Sequence, residues 1–565
     1  MSAPKVTPLV VGASGYIAGV CRQLRIAELV NRLVTWDDTQ WKRSPGTLIV
    51  ALIINILTGR RPLYRVWESF ERLDLPTLFD EPVQLADLND DAFGRALDRL
   101  HASGNAKLLV HSVALRAVHL LPLGIRSVHA DTTSIALCGA YEWTESDEQF
   151  AEAHPDRSLL RITYGYSKDN RPDLKQFIYG LIVSAEGLPL IGEVRDGNLS
   201  DKVWHRDTLD EIRQSFLDPQ KVVYVADSAL VTPENLARID QYRMRFISRL
   251  PESYRLAAEL KDRAWALNAW ETVGRVAQSE KAASYRAQSF VEPFEGRPYR
   301  FIVVHSSALD SRKKKALERR IAKERAELEK AVQALAKQRF NCQEDATKAL
   351  DAFLRTHADA VHQVTGTVRE ERLTKRRPGR PRKDEVPQTT VQWRLELQIA
   401  APTEEALQEL HERESTFVLI TNLMDPEWSN ADVLREYKDQ TAVETRFRNL
   451  KATPCIVDGI YVKSSRRAEA LAYVFLLALI VAAYIEIRIR QELKRRKRQF
   501  VMPGKRLTDR PTMTGIFDIM RTVLIVIVET AEGTYRMLPT NTDPRVHEIL
   551  ELSGLDESVY TRVTA

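Results

Sequence analysis

The sequence predicts an α/β protein: a sheet-and-helix core preceded by a helical region and interrupted by a large α+β insertion. Three observations carry this. Apolar residues recur at helical spacing up to about residue 125 and then switch to runs with strand character. Between 126 and 254 strands are followed by a helix and then by a strand that ends in a carboxylate, an order that belongs to α/β layers. The pattern breaks over 255–415 and the β character resumes with FVLITN at 417–422.

Each segment follows from its own pattern. Residues 1–125 read as mostly helical, with Leu24, Ile26, Leu29, Val30 and Leu33 recurring at helical spacing and long apolar runs at 47–57 and 108–122. Strands are expected at 128–137, 161–167, 175–183 and 189–194, then a helix at 203–216 and buried strands at 221–226 and 244–250. In the insertion, 312–339 reads as a charged helix with Ile321, Leu328 and Leu335 one heptad apart, which suits an arm packed within its own domain. The basic, proline-containing stretch 369–388 reads as a loop, and 393–399 as a strand. Ser429 is an expected N-cap with Asp432 in the capping-box position, opening a helix over 430–451. Residues 471–485 are nearly all apolar but shorter than the roughly 20 residues a membrane span needs, and basic residues crowd both ends; a fully buried helix is expected and no membrane association. The domains expected are therefore 1–125, 126–254, 255–415, 416–490 and a basic C-terminal region, 491–565.

With 82 basic against 77 acidic residues the net charge is only +5, so global charge does not argue for nucleic acid. Local density does: residues 369–383 hold eight basic side chains and 488–498 hold seven, which must be solvated or matched to phosphate. The four cysteines are far apart and form no CxxC pair, so neither a zinc site nor a disulfide framework is suggested and a reduced cytoplasmic setting fits. The glycines of VVGASGYIAG (10–19) miss the dinucleotide-binding spacing, and no second strand closes in an acid, so no nucleotide cofactor is expected.

Three carboxylates stand out. Asp131, in HADTTSIAL, is expected mid-strand, where an acid is costly unless paired or bound to a cation. Asp227, in VVYVADSAL, closes an apolar strand, the end at which open α/β sheets meet ligands. On a continuous helix over 430–451, Tyr437, Gln440, Glu444 and Lys451 fall within one stripe of roughly 60°, with Val443, Phe447 and Leu450 on an adjacent apolar stripe. A solvated face accounts equally well for that spacing alone.

Tyr437-x2-Gln440-x3-Glu444-x6-Lys451 resembles the Tyr-x2-Arg-x3-Glu-x6-Lys signature of DDE transposases of bacterial insertion sequences. DTTS at 131–134, GYSKDNRPDLKQ at 165–176, GN-x-SD at 197–201 and ADSA at 226–229 are similar to family phrases in the same order. Gln440 departs from the signature arginine, and Arg446 or Arg448 is a candidate substitute. The resemblance implies a ribonuclease H-like core interrupted before its last catalytic helix. It also implies Asp131, Asp227 and Glu444 as ligands of Mg²⁺ (or Mn²⁺), with Asp131 bridging, and Tyr437, Gln440, Arg448 and Lys451 on DNA. Double-stranded DNA, namely the element's ends and its target, would be the partner, a homodimer would pair the two ends, and the bacterial cytoplasm, at the nucleoid, would be the setting. Hard carboxylate oxygens suit such cations. RRPGRPRK (376–383) resembles an AT-hook, whose Arg377, Arg380 and Arg382 would enter a narrow minor groove. A relative that binds DNA without cutting it is the alternative, and Gln440 is the residue that favours it. Trp265 and Trp270 are expected to pack within the insertion.

Overall fold

The computed structural model describes residues 4–563 apart from 277–281, 376–387, 452–461 and the single positions 38, 40, 60, 156, 214, 216, 310, 425 and 463. The chain forms two compact units, one of residues 1–251, 294–297 and 421–565, the other of 252–293 and 298–420.

The first unit opens with β1 (Lys5–Val10), a strand in a region expected to be mostly helical. It turns through Gly12, at φ +56, into the helix Ser14–Gln23. Helices Ile26–Leu33, Pro45–Leu57, Asp90–Ser103 and Ala106–Leu120 follow. Pro45–Leu57 starts where it does because Ser44 caps the Thr47 N–H and Pro45 has no N–H to leave unsatisfied. Then come β2 (Ser127–Leu137), β3 (Lys175–Ser184), β4 (Pro189–Arg195), the helix Asp201–Ile212, β5 (Val223–Ala226) and β6 (Arg245–Arg249). Within this unit the mixed sheet runs β4-β3-β2-β5-β6. β3 is antiparallel to both β2 and β4, whereas β2, β5 and β6 are parallel. The strand expected at 161–167 is absent: that segment makes one isolated bridge, Thr163 to Gln176, and otherwise runs as loop.

The second unit contains β7 (Glu271–Arg275), β8 (Ser284–Phe294), β9 (Arg297–Ser306), helices Ser311–Ala336 and Gln343–Thr356, β10 (Val364–Lys375), β11 (Gln388–Ile399), helix Glu404–Glu414 and β12 (Thr416–Thr421). The loop expected from 369 is strand as far as Lys375, because β10 pairs with β11 in register from Val364↔Ile399 to Lys375↔Gln388. Its charges sit on an open hairpin face and are matched locally, Arg369 with Glu396 and Arg339 with Glu371. Leu335 of the charged helix, Leu350 and Leu395 form a small core on this hairpin. Trp265 and Trp270 pack against Arg286, whose guanidinium lies 4.9 and 5.0 Å from the two ring centres.

Back in the first unit, helices Asn430–Lys438 and Thr441–Lys451 precede the helix Ser465–Arg496. By length and composition the last could cross a membrane, but its most apolar stretch is wholly buried inside the protein. It lies against Pro45–Leu57, Asp90–Ser103, Ala106–Leu120 and β4. The tail adds β13 (Phe500–Met502), β14 (Arg506–Thr508), β15 (Leu524–Thr530) and β16 (Gly533–Met537). β15 pairs antiparallel with β1, so the strand–turn–helix at 5–23 is not the start of a parallel nucleotide-binding unit.

Candidate functional site

Register creates the site. β2 and β5 are parallel with Ala130 opposite Ala226, so Asp131, within β2, and Asp227, just past the end of β5, stand at the same level on neighbouring strands. Adjacent strands lie about 4.8 Å apart. β6 continues the row: Ser248 is opposite Ala226, which puts Arg249 beside Asp227.

The two acids are held differently. Asp131 Oδ1 accepts the Thr132 N–H at 2.7 Å. Burial pushes its carboxyl up to about 6; Lys168 opposes the shift, while Asp227 and Asp201 add to it. Asp227 caps the short turn Ser228–Leu230 by accepting the Ala229 N–H at 3.0 Å. His205, whose other ring nitrogen is 2.9 Å from the Tyr224 hydroxyl, stands 3.6 Å from Asp227 Oδ1. Burial works upward on Asp227 too, but His205, the Ala229 N–H and Lys168 outweigh it and hold the carboxyl below its ordinary range.

Two loops bring further charge to this end of the sheet. Lys168 Nζ lies 3.6 Å from Asp131 Oδ1 and 3.1 Å from Asp201 Oδ2, and donates to Thr132 O and Oγ1 at 2.8 Å each. Asp201, in the first turn of its helix, also accepts from Thr132 Oγ1. The loops interlock: Gly165 approaches the Gly197 carbonyl so closely that a Cβ would stand 2.0 Å from it, and a Cβ on Gly197 would stand 2.0 Å from the Gln176 carbonyl. Gln176 Nε2 donates to Gly197 O at 2.7 Å.

The helix expected over 430–451 is two helices. Ser429 and Asp432 make the expected capping box. At Asp439–Gln440 the backbone tightens to i→i+3 bonds, Gln440 N–H to Tyr437 O at 3.3 Å and Ala442 N–H to Asp439 O at 2.8 Å, so the angles of a continuous helix do not apply across this turn. Val443, Phe447 and Leu450 are buried as their stripe requires. The first helix is anchored by Glu436, which accepts from Ser127 Oγ and lies 3.3 Å from His129 Nε2 on β2. Next to it, the Tyr437 phenol is pushed up to about 12 by burial. Arg249 opposes the shift, and Asp227, Glu444 and Asp131 add to it, so this hydroxyl lies in the field of all three acids.

Glu444 is exposed in the first turn of its helix. Among the described residues no three carboxylate, histidine or cysteine side chains stand close enough to hold a metal ion. The structure thus pairs Asp131 with Asp227 and leaves Glu444 outside that pair. Gln440 is half-buried in the interhelical turn, and Lys451 pairs with Asp169 at 2.6 Å. Arg446 does not stand in for an arginine at 440: it is buried, bonded to Gly187 O at 2.6 Å and paired with Glu486 at 2.7 Å. Arg448 is exposed. Arg377, Arg380 and Arg382 lie outside the described residues. The basic run 488–498 is largely matched within the fold, by Glu486, Glu492, Glu548 and Glu551.

Lys168, Asp201, His205 and Arg249 were given no role by the sequence. The first two lie in GYSKDNRPDLKQ and GN-x-SD, so the phrases marked them without saying what they touch. Arg249 had no sequence signal of its own, since its place beside Asp227 comes from the register of β5 and β6.

A model of a domain of unknown function, DUF4277, a domain found in transposase-like proteins, matches residues 9–114. No curated protein matches the chain.

Proposed function

We propose that this chain is a DDE transposase that cuts DNA at the ends of an insertion sequence and joins them to target DNA. The observation that carries the reading is the pair Asp131 and Asp227, at the same level on parallel neighbours, the first within β2 and the second just past the end of β5. The order β4-β3-β2-β5-β6, with β3 antiparallel to its neighbours and β2, β5 and β6 parallel, supports a ribonuclease H-like core.

The donor set fits Mg²⁺ or Mn²⁺. Two hard carboxylates in register repel one another, and a cation relieves that repulsion; here the nearest is Lys168. Asp131 and Asp227 would hold the metal, with Glu444 as the third ligand of the reading. When bound, such cations would activate the attacking oxygen and stabilise the leaving one. The chain's own groups do the rest. His205 keeps Asp227 ionised and oriented. Tyr437, held protonated, offers a hydrogen bond to a phosphate oxygen. Arg249, beside Asp227, and Lys451 supply positive charge for the backbone. Water opens the first phosphodiester and frees a 3′-hydroxyl, which attacks a second phosphodiester and displaces that strand's own 3′-oxygen as the leaving group. The reading includes a homodimer on paired DNA ends and a bacterial cytoplasmic setting at the nucleoid.

Gln440 and the outlying Glu444 favour a second reading, a DNA-binding relative that does not cut. Supercoiled plasmid with Mg²⁺ or Mn²⁺ separates the two. Nicking by wild type and at least about a hundredfold less by Asp227→Ala is expected. Equal DNA binding by both proteins with nicking by neither establishes the second reading.

A further inference from the structure

Lys168 is fastened to the acid pair in a way that neither the fold nor the two-step chemistry requires. Its backbone N–H donates to Ser134 Oγ at 3.0 Å, which ties the loop to β2. Its ammonium donors are taken by Thr132 O, Thr132 Oγ1 and Asp201 Oδ2, and the fixed charge stands 3.6 Å from Asp131 Oδ1. A lysine that served only to bind DNA would point to solvent; this side chain is 28% exposed and faces the carboxylates. Asp201 is its nearest carboxylate, so the charge is shared between an acid with no assigned role and one at the centre of the site.

We propose that Lys168 is a tethered counter-cation of the acid pair, which neutralises Asp131 in the metal-free protein and thereby weakens divalent-cation binding, with Asp201 as the positioning residue that draws part of its charge away. The inference rests on the reading of Asp131 and Asp227 as metal ligands. A positive charge within 4 Å of a ligand oxygen repels an incoming dication through a partly desolvated medium, where such interactions are strong. Removing it without changing side-chain length leaves the carboxylates in place and the attraction for the dication undiminished. Removing Asp201 instead leaves the ammonium to the acid pair alone, Asp131 nearest at 3.6 Å, and the opposition to the dication grows. The two substitutions therefore act in opposite directions, which loss of packing does not produce.

The test is Mn²⁺ binding at pH 8, read by electron paramagnetic resonance of the free ion and by calorimetry, on full-length protein without DNA. Lys168→Met binds Mn²⁺ about tenfold more tightly than wild type, equivalent to about 1.4 kcal/mol. Lys168→Arg, which keeps the charge, stays within about twofold. Asp201→Asn binds at least about threefold more weakly, and the double variant Lys168→Met/Asp201→Asn returns toward Lys168→Met because Asp201 acts through the lysine. Unchanged or weaker binding by Lys168→Met overturns the inference. If that variant does not fold, unchanged binding by Asp201→Asn overturns it. Asp131→Asn separates the two levels of the argument. If it binds Mn²⁺ as wild type does, the metal-site reading itself fails. If it abolishes binding while Lys168→Met leaves binding unaltered, only the role of Lys168 fails.

Discussion

At the scale of single residues, Asp131 is an acid placed where folding alone would not put one. β2 carries it beside a second carboxylate, and burial holds its proton up to about 6 where an ordinary aspartate releases it at 3.8. The folded state therefore binds this proton more tightly than the unfolded chain does. The cost of ionising Asp131 is absent below about pH 4, grows between pH 4 and 6, and is fully present above that. Replacing Asp131 with Asn removes the charge and keeps an oxygen to accept the Thr132 N–H. The variant should be more stable than wild type by the order of 2 kcal/mol at pH 8 without metal, a gain that disappears toward pH 4. Denaturant titrations at the two pH values measure this. Equal stability at pH 8 means that the fold tolerates the charge without strain. Asp227 obeys the opposite sign, because His205 and the Ala229 N–H hold its proton affinity down.

At the scale of elements, the site is assembled by two loops whose glycines leave no room for a side chain. A Cβ on Gly197 would stand 2.0 Å from the backbone carbonyl of Gln176, which cannot swing aside as a flexible side chain would. Gly197→Ala should destabilise the protein by about 3 kcal/mol and tighten Mn²⁺ binding, since the loop that carries Lys168 and the loop that leads into the Asp201 helix must part and draw the ammonium away from Asp131. Unfolding midpoints and Mn²⁺ titration check both effects, and a variant as stable as wild type contradicts the interlock. These loops also show what the sequence made legible. The two aspartates were readable because an acid on or after an apolar strand is conspicuous. The cap at Ser429 and the stripe Val443, Phe447 and Leu450 were readable because both are local patterns. The turn at Asp439–Gln440 was not, since no glycine or proline marks it. The hairpin β10–β11 was hidden because its stability comes from a partner strand whose register a basic composition does not reveal. Lys168 and Arg249 acquire meaning only from what the fold sets beside them.

At the scale of the molecule, the helix Ser465–Arg496 makes the first unit one cooperative body. Its 32 residues span about 48 Å, and along that length it meets the N-terminal helices and strand β4 of the sheet. Few polar groups interrupt the interface. The Tyr179 hydroxyl donates to Ala472 O at 2.8 Å, and Glu486 neutralises the buried Arg446 and the nearby Arg490. The region before residue 125 and the sheet after it thus share a single apolar spine, and residues 1–251 and 421–565 belong to one compact unit. A charge placed in the middle of the spine has no partner and no water, a cost of several kcal/mol that both sides of the helix must bear. Ala483 is fully buried there. Ala483→Asp should raise hydrogen exchange in Pro45–Leu57, Asp90–Ser103, β2 and β5 together, with one unfolding transition displaced to lower denaturant. Mass-resolved exchange distinguishes this from independent domains: loss of protection confined to the N-terminal helices, with β2 and β5 still protected as in wild type, would mean that the helical region and the sheet carrying Asp131 and Asp227 fold separately.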